Sequence, residues 1–331
     1  MRRLVERLAL TALALLAPAP GSAQFPSLGP ISAEEGTPLH RLSYTPMVEG
    51  ADLTPRGALR IDLWTGYSNI FEQDSAEAAT LYLDMERMIA TAALRYGLGE
   101  RLEIGGRLTV QTDWGGFLDG FVAGFHETLS LGNRNRRNFP EGAYGQTLED
   151  GDGRILVDVP RRTFDVVDVR VFAKWSAVAS ADGRRALSLR AVTRMPTARS
   201  TVGAQRADLS LMALGRAAWG GFHLHGMAGG ATVNRSPELL DVLRGYNVFA
   251  MFGAERPFSD HLSAVVQFTG STPILRSFGD SDVDGIPTNL VFGVVGRTAG
   301  GWRWEVAMQE DVPPRGPSLD FTMQLGLGRT W

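Results

Sequence analysis

Apolar and polar residues alternate singly along most of the chain. Leu59, Ile61 and Leu63 alternate with Arg60, Asp62 and Trp64, and the same two-residue period returns over 102–111, 167–176, 187–194, 246–252, 262–268, 290–294, 302–308 and 321–327. This is the period of strands whose two faces meet different surroundings. Over 81–98 the phase changes: Leu81, Leu83 and Met85 are followed by Met88, Ala90, Ala92, Leu94 and Tyr96. That switch predicts a bulge near Glu86-Arg87. Tight turns fall at 97–101, 181–183, 220–221, 257–260 and 299–301, and longer connections separate them. The pattern predicts about 12 antiparallel strands, an even number as bacterial single-chain barrels require. With the first strand starting from the periplasm, every short turn is periplasmic and every long loop external.

One stretch departs from this rhythm. In Gly115-Gly116-Phe117-Leu118-Asp119-Gly120-Phe121-Val122-Ala123-Gly124-Phe125-His126, the residues Phe117, Leu118, Phe121, Val122, Phe125 and Leu129 share one face at about 100° per residue. Asp119, His126 and Glu127 fall opposite. We expect one amphipathic helix inside a long external loop of about 114–162. Such a helix either sits in or over the barrel mouth and constricts the lumen, or lies on the outer leaflet.

The polar strand face carries Glu103, Arg107, Asp168, Arg170, Lys174, Arg190 and Arg194, together with Asp208, Arg216, Glu255, Arg303 and Glu305, while the other face is almost wholly apolar. A transmembrane barrel with a charged lumen fits that division better than a soluble sandwich. Tyr96, Trp175, Phe222, Trp302 and Trp304 fall near strand ends, like an interfacial girdle.

Composition adds the compartment. Residues 1–23 read as a secretory signal: Arg2, Arg3 and Arg7 precede the apolar core 8–16, and Gly21-Ser22-Ala23 offers a cleavage site. Residues 24–56, rich in Pro, Gly and Glu, read as a periplasmic lead-in with little regular structure, and 57–331 as the barrel. With no Cys there is neither a disulfide nor a lipidated N-terminal Cys. A net charge of -3 without a Lys/Arg run excludes a nucleic-acid surface. Trp331, closing an alternating strand, is expected to engage the barrel-assembly machinery, and outer-membrane lipids and lipopolysaccharide are the expected surroundings.

Three motifs carry candidate chemistry. Asp280, Asp282 and Asp284, followed by Gly285, form the opening half of a calcium loop, although Val291 replaces the closing Glu; the alternative is a solvated acidic turn. Asp119 and His126 with nearby Ser130 suggest a lipid hydrolase, but no nucleophile stands on a strand beside them, so an anchoring role for the helix is the stronger expectation. His223 and His225 share a strand face and read as members of a lumen polar network.

Gly115-Gly116-Phe117-Leu118-Asp119, Phe125-His126 and Asn133-Arg134-Asn135-Arg136-Arg137 resemble one of the domain-of-unknown-function families of Gram-negative outer-membrane barrels; the opening strand ending at Trp64 and Asn69 is similar too. The resemblance implies an outer-membrane barrel without an assigned activity. The expected function is passive transport of a small solute, which the Phe stripe allows to be apolar. A plugged structural barrel and a surface lipid hydrolase are the alternatives; no cofactor beyond calcium is expected.

Overall fold

The computed structural model describes residues 25–34, 39–75, 77, 79–129, 136–159, 161, 164–196, 206–234, 241–276, 284–312 and 321–331. The expected signal segment, and Ser130, Asp280 and Asp282, lie outside the described residues.

The strands are β1 (Leu59–Ser75), β2 (Ala79–Gly97), β3 (Leu102–Trp114), β4 (Gly145–Asp150), β5 (Ile155–Asp158), β6 (Asp165–Ala179), β7 (Arg185–Met195), β8 (Asp208–Trp219), β9 (Phe222–Thr232), β10 (Tyr246–Ser259), β11 (Leu262–Ser271), β12 (Thr288–Arg297), β13 (Arg303–Asp311) and β14 (Phe321–Thr330), and the helix α1 covers Asp119–Leu129. All but β4 and β5 form one closed antiparallel barrel of 12 strands, sealed where β1 pairs with β14 from Arg60↔Thr330 to Asn69↔Phe321. Closure leaves no strand edge in the wall, the condition for a sheet to cross lipid. The hairpin β4–β5 extends the wall upward, where Ala79–Asp84 of β2 pair with β4. It lies inside the segment expected to be an irregular loop.

Alternation sorts the faces. Leu63, Leu211, Phe268 and Leu325 point outward and are between 52 and 61% exposed in the isolated chain, as lipid-facing side chains must be. Their neighbours in sequence point inward and are buried or partly buried. No described helix is long and apolar enough to cross a membrane.

The phase change in β2 has a different cause from a bulge. The β1–β2 register runs unbroken from Leu59↔Tyr96 to Ser75↔Thr80. Odd residues of β2 always face inward. In the lower strand the inner wall is polar and the outer face meets lipid. Above Arg87, Leu81, Leu83 and Met85 pack inward on an apolar cluster. The apolar side switches, not the strand.

Candidate functional site

The segment expected in the periplasm lies inside the barrel. The described residues 25–34 and 39–55 have little regular structure, as expected, but the first leg climbs through the lumen and the second descends to β1. At the lower end Phe25 O accepts from His223 Nε2 at 2.9 Å, and the Leu28 amide donates to Glu255 at 2.7 Å. Higher up, Gln267 both accepts from the Ile31 amide and donates to the Ile31 carbonyl. The tip is a short 3-10 turn, Leu39–Leu42, seated among Ile70, Leu81, Leu83, Leu148 and Leu243. On the way down, Arg194 donates to Ser43 O at 2.6 Å, Asn247 to Tyr44 O at 2.9 Å and Arg170 to Thr45 O at 2.7 Å. Ser188 and Lys174 then donate to the carbonyls of Ala51 and Asp52. The two legs are joined by the antiparallel bridge Glu34↔Met47 and by the Val48 amide donating to Ala33 O.

Physical chemistry explains both the path and its invisibility to periodicity. A buried backbone must have its N–H and C=O groups paired, and here side chains of the wall supply the partners. A segment ringed on all sides by the same wall has no solvent face, so no two- or 3.6-residue period can develop.

Two plug carboxylates sit in basic clusters of the wall. Glu34 lies 2.6 Å from Arg170 and 3.3 Å from Arg107, with Asp168 bound to Arg170 beside them. Glu49 bridges Arg95, at 2.5 Å, and Arg190. Around it Arg95 also meets Asp62 at 3.1 Å, and Lys174 meets Glu103 at 3.3 Å. Burial works against ionisation of both plug carboxylates, but the paired guanidinium groups outweigh it and hold each below the usual carboxylate range. At the tip, burial pushes the His40 imidazole down to about 3. Below the plug a cavity of about 730 Å³ opens toward the periplasmic turns, lined in part by Arg60, Arg95, Lys174, Arg216 and Arg303.

Of the expected lumen charges, Glu103, Arg107, Asp168, Arg170, Lys174, Arg190 and Arg194 point inward and are buried, and Arg216 and Arg303 are partly buried. Glu34 and Glu49, which complete their clusters, escaped sequence reasoning. One signal could have found them: the lumen face carries more cations than carboxylates, and the lead-in is acidic.

The helix is placed differently from the expectation that it constricts the lumen. Ile61, Leu63 and Tyr67 define the outward face of β1, and Asn69 continues it. Likewise Glu86 continues the outward face of β2 above Met88, Phe321 that of β14, and Glu310 that of β13. The helix segment touches all four. The Phe117 amide donates to Glu86 at 2.8 Å, Asn69 donates to Asp119 at 3.1 Å, Phe121 and Phe125 pack on Phe321, and His126 lies 3.3 Å from Glu310. So α1 runs along the outer rim across β1, β14 and β13, a span its length of about 16 Å matches. Asp119 is further held by Arg136 at 2.8 Å and by the Gly142 amide. Phe117 and Phe121 are exposed, and Glu127 is exposed rather than sharing the buried face of Asp119 and His126. Val122, expected on the Phe stripe, is buried. The chain reaches this position through Gly116, whose φ of +88° and close approach to Glu86 leave no room for a Cβ.

Asp119 and His126 therefore have separate partners, Arg136 and Glu310. His225 pairs with Glu255 at 2.9 Å, while His223 holds the plug backbone. Of the calcium triad only Asp284 is described, and no cluster of three His, Asp or Glu suited to a metal occurs among the described residues.

Comparison with solved structures places the fold. The chain is similar to the COG4313 outer membrane channel from Pseudomonas putida F1, with 13% identity and a TM-score of 0.55 over 86% of this chain and 100% of that one. It is also similar to the NanC porin, with 8% identity and a TM-score of 0.45 over 81% of this chain and 98% of that one. The translocator domain of the autotransporter NalP from Neisseria meningitidis follows at 13% identity and a TM-score of 0.42, over 84% of this chain and 90% of that one. A search of curated proteins found no match. Residues 7–331 match the family described as Protein of unknown function (DUF3187), and the chain belongs to that family.

Proposed function

We propose that the protein is a passive outer-membrane channel for a small solute, closed at rest by residues 25–55. One observation carries this reading. Among its described residues the plug forms no backbone ladder with the wall, and the first bridge to a strand, Arg56↔Gly97, comes just after its base. Elsewhere it is held by wall side chains reaching its backbone and by two carboxylates in basic clusters. Such contacts can exchange for water without opening the barrel, whereas a paired strand could not leave without exposing a sheet edge.

Planar-bilayer recording tests this. The intact chain is expected to be closed most of the time with brief openings, and a variant lacking 26–53 to conduct continuously while still migrating as a folded barrel. The apolar cluster around the plug tip favours a second reading, a permanently plugged barrel that serves the envelope. That reading predicts no openings in the intact chain under any applied potential.

A further inference from the structure

The lumen wall carries two places built to hold a carboxylate, and in the resting protein the plug occupies both. We propose that the transported solute is a small anion bearing carboxylate groups, and that Glu34 and Glu49 stand in for it at Arg107/Arg170 and at Arg95/Arg190. This deepens the channel reading and rests on it.

Charge matching is the argument. Around the two sites the wall supplies Arg60, Arg95, Arg107, Arg170, Lys174 and Arg190 against Asp62, Glu103 and Asp168. Six cations face three carboxylates, and two of the missing negative charges come from Glu34 and Glu49. A buried guanidinium left without its partner is strongly unfavourable, so a wall with this surplus requires an anion whenever the plug withdraws. Guanidinium favours carboxylate in particular, because its planar donors meet two oxygens at once. Glu49 is held between two guanidinium groups, one oxygen toward Arg95 and the other toward Arg190.

The placement also suggests a route. Arg95 and Lys174 line the lower cavity as well as the Glu49 site, whereas Arg107 and Arg170 lie higher along the plug. A carboxylate could therefore move between the two sites while each guanidinium keeps a partner. The Phe-bearing helix contributes nothing to this path, since its contacts are with the outer wall.

The experiment is ion selectivity in planar bilayers under a potassium chloride gradient, followed by addition of citrate. In the variant lacking 26–53, chloride is expected to permeate several-fold better than potassium, and citrate to interrupt the current. Arg95→Gln with Arg190→Gln should reduce both effects. In the full-length chain, Glu34→Gln with Glu49→Gln should raise the opening frequency and give the same anion preference, which keeps the test available if the deletion fails to fold. Openings that prefer potassium, show no preference, or ignore citrate would overturn the anion assignment while leaving a channel. A folded deletion barrel that passes no current would instead remove the channel reading beneath it.

Discussion

Two of the described segments outside the barrel wall, the helix α1 and the lumen plug, reverse the roles their sequences suggest. The helix Asp119–Leu129 has a clear amphipathic period, yet it lies outside on the rim, with Asp119 and His126 buried against the wall and Phe117 and Phe121 largely exposed. Residues 25–55 have no period and fill the lumen. Periodicity reports a segment with two different sides. A rim helix has protein on one side and membrane or solvent on the other. A plug has wall all round, and its side chains obey the local wall instead of a repeat.

The largest expected effect breaks this comparison directly. Glu49→Ala leaves Arg95 and Arg190 without a shared carboxylate and should weaken plug docking by about 3–5 kcal/mol, read as a rise in channel opening. Asp119→Ala removes an ion pair of the rim helix and should leave conductance unchanged. Equal effects of the two on conductance would return the helix to the channel path.

Next in size is the wall itself. Leu211→Lys places a charge on the lipid face and should cost about 2–4 kcal/mol if near the midplane, measured by urea unfolding in lipid vesicles. Alternation alone would make the lumen position Thr109 tolerant of Lys. The filled lumen makes it intolerant, because Thr109 is buried beside Thr91.

Gly116→Ala sharpens the other side of the comparison. An L-residue at this φ costs about 1–2 kcal/mol, and its Cβ would meet Glu86. The helix should detach from the rim, seen as new protease cleavage near α1, with the plug still closed.

The smallest effect is a pH dependence confined to the plug. Buried His40 titrates at about 3 rather than its ordinary 6.5, so its folded value is depressed. Its contribution to docking is present above pH 6.5 and declines as the pH falls from there toward 3. Glu34 and Glu49 are depressed as well, so their contributions persist until the pH drops below the ordinary 4.5. Between pH 6.5 and 4.5 the opening frequency should rise as the pH falls, and His40→Gln should flatten that slope.

How far the sequence could be read follows from the same contrast. The twelve strands, their faces and the inward charges were legible because each strand separates lipid from lumen. The short hairpin β4–β5 was not, because both its faces are protein-covered or mixed. The apparent bulge in β2 had the same origin: above Arg87 the lumen side becomes apolar, and the pattern inverts without any break in register. The plug was legible only through charge, as carboxylates at Glu34 and Glu49 answering a cationic surplus on the wall. The outward seat of the helix needed the register of β1, β2, β13 and β14, which no single segment reveals.

The central claim is that residues 25–55 occupy the lumen, and cross-linking tests it most directly. The chain has no native cysteine, so an engineered pair has no competitor. Ser188 faces inward and its hydroxyl donates to Ala51 O at 2.5 Å, while the adjacent Leu189 faces lipid. The occupied lumen predicts that Ala51→Cys with Ser188→Cys forms a disulfide in isolated outer membranes, holds the channel closed, and releases it on reduction. Ala51→Cys with Leu189→Cys should not cross-link. A plug lying in the periplasm would give no disulfide for either pair, and that result would contradict the account.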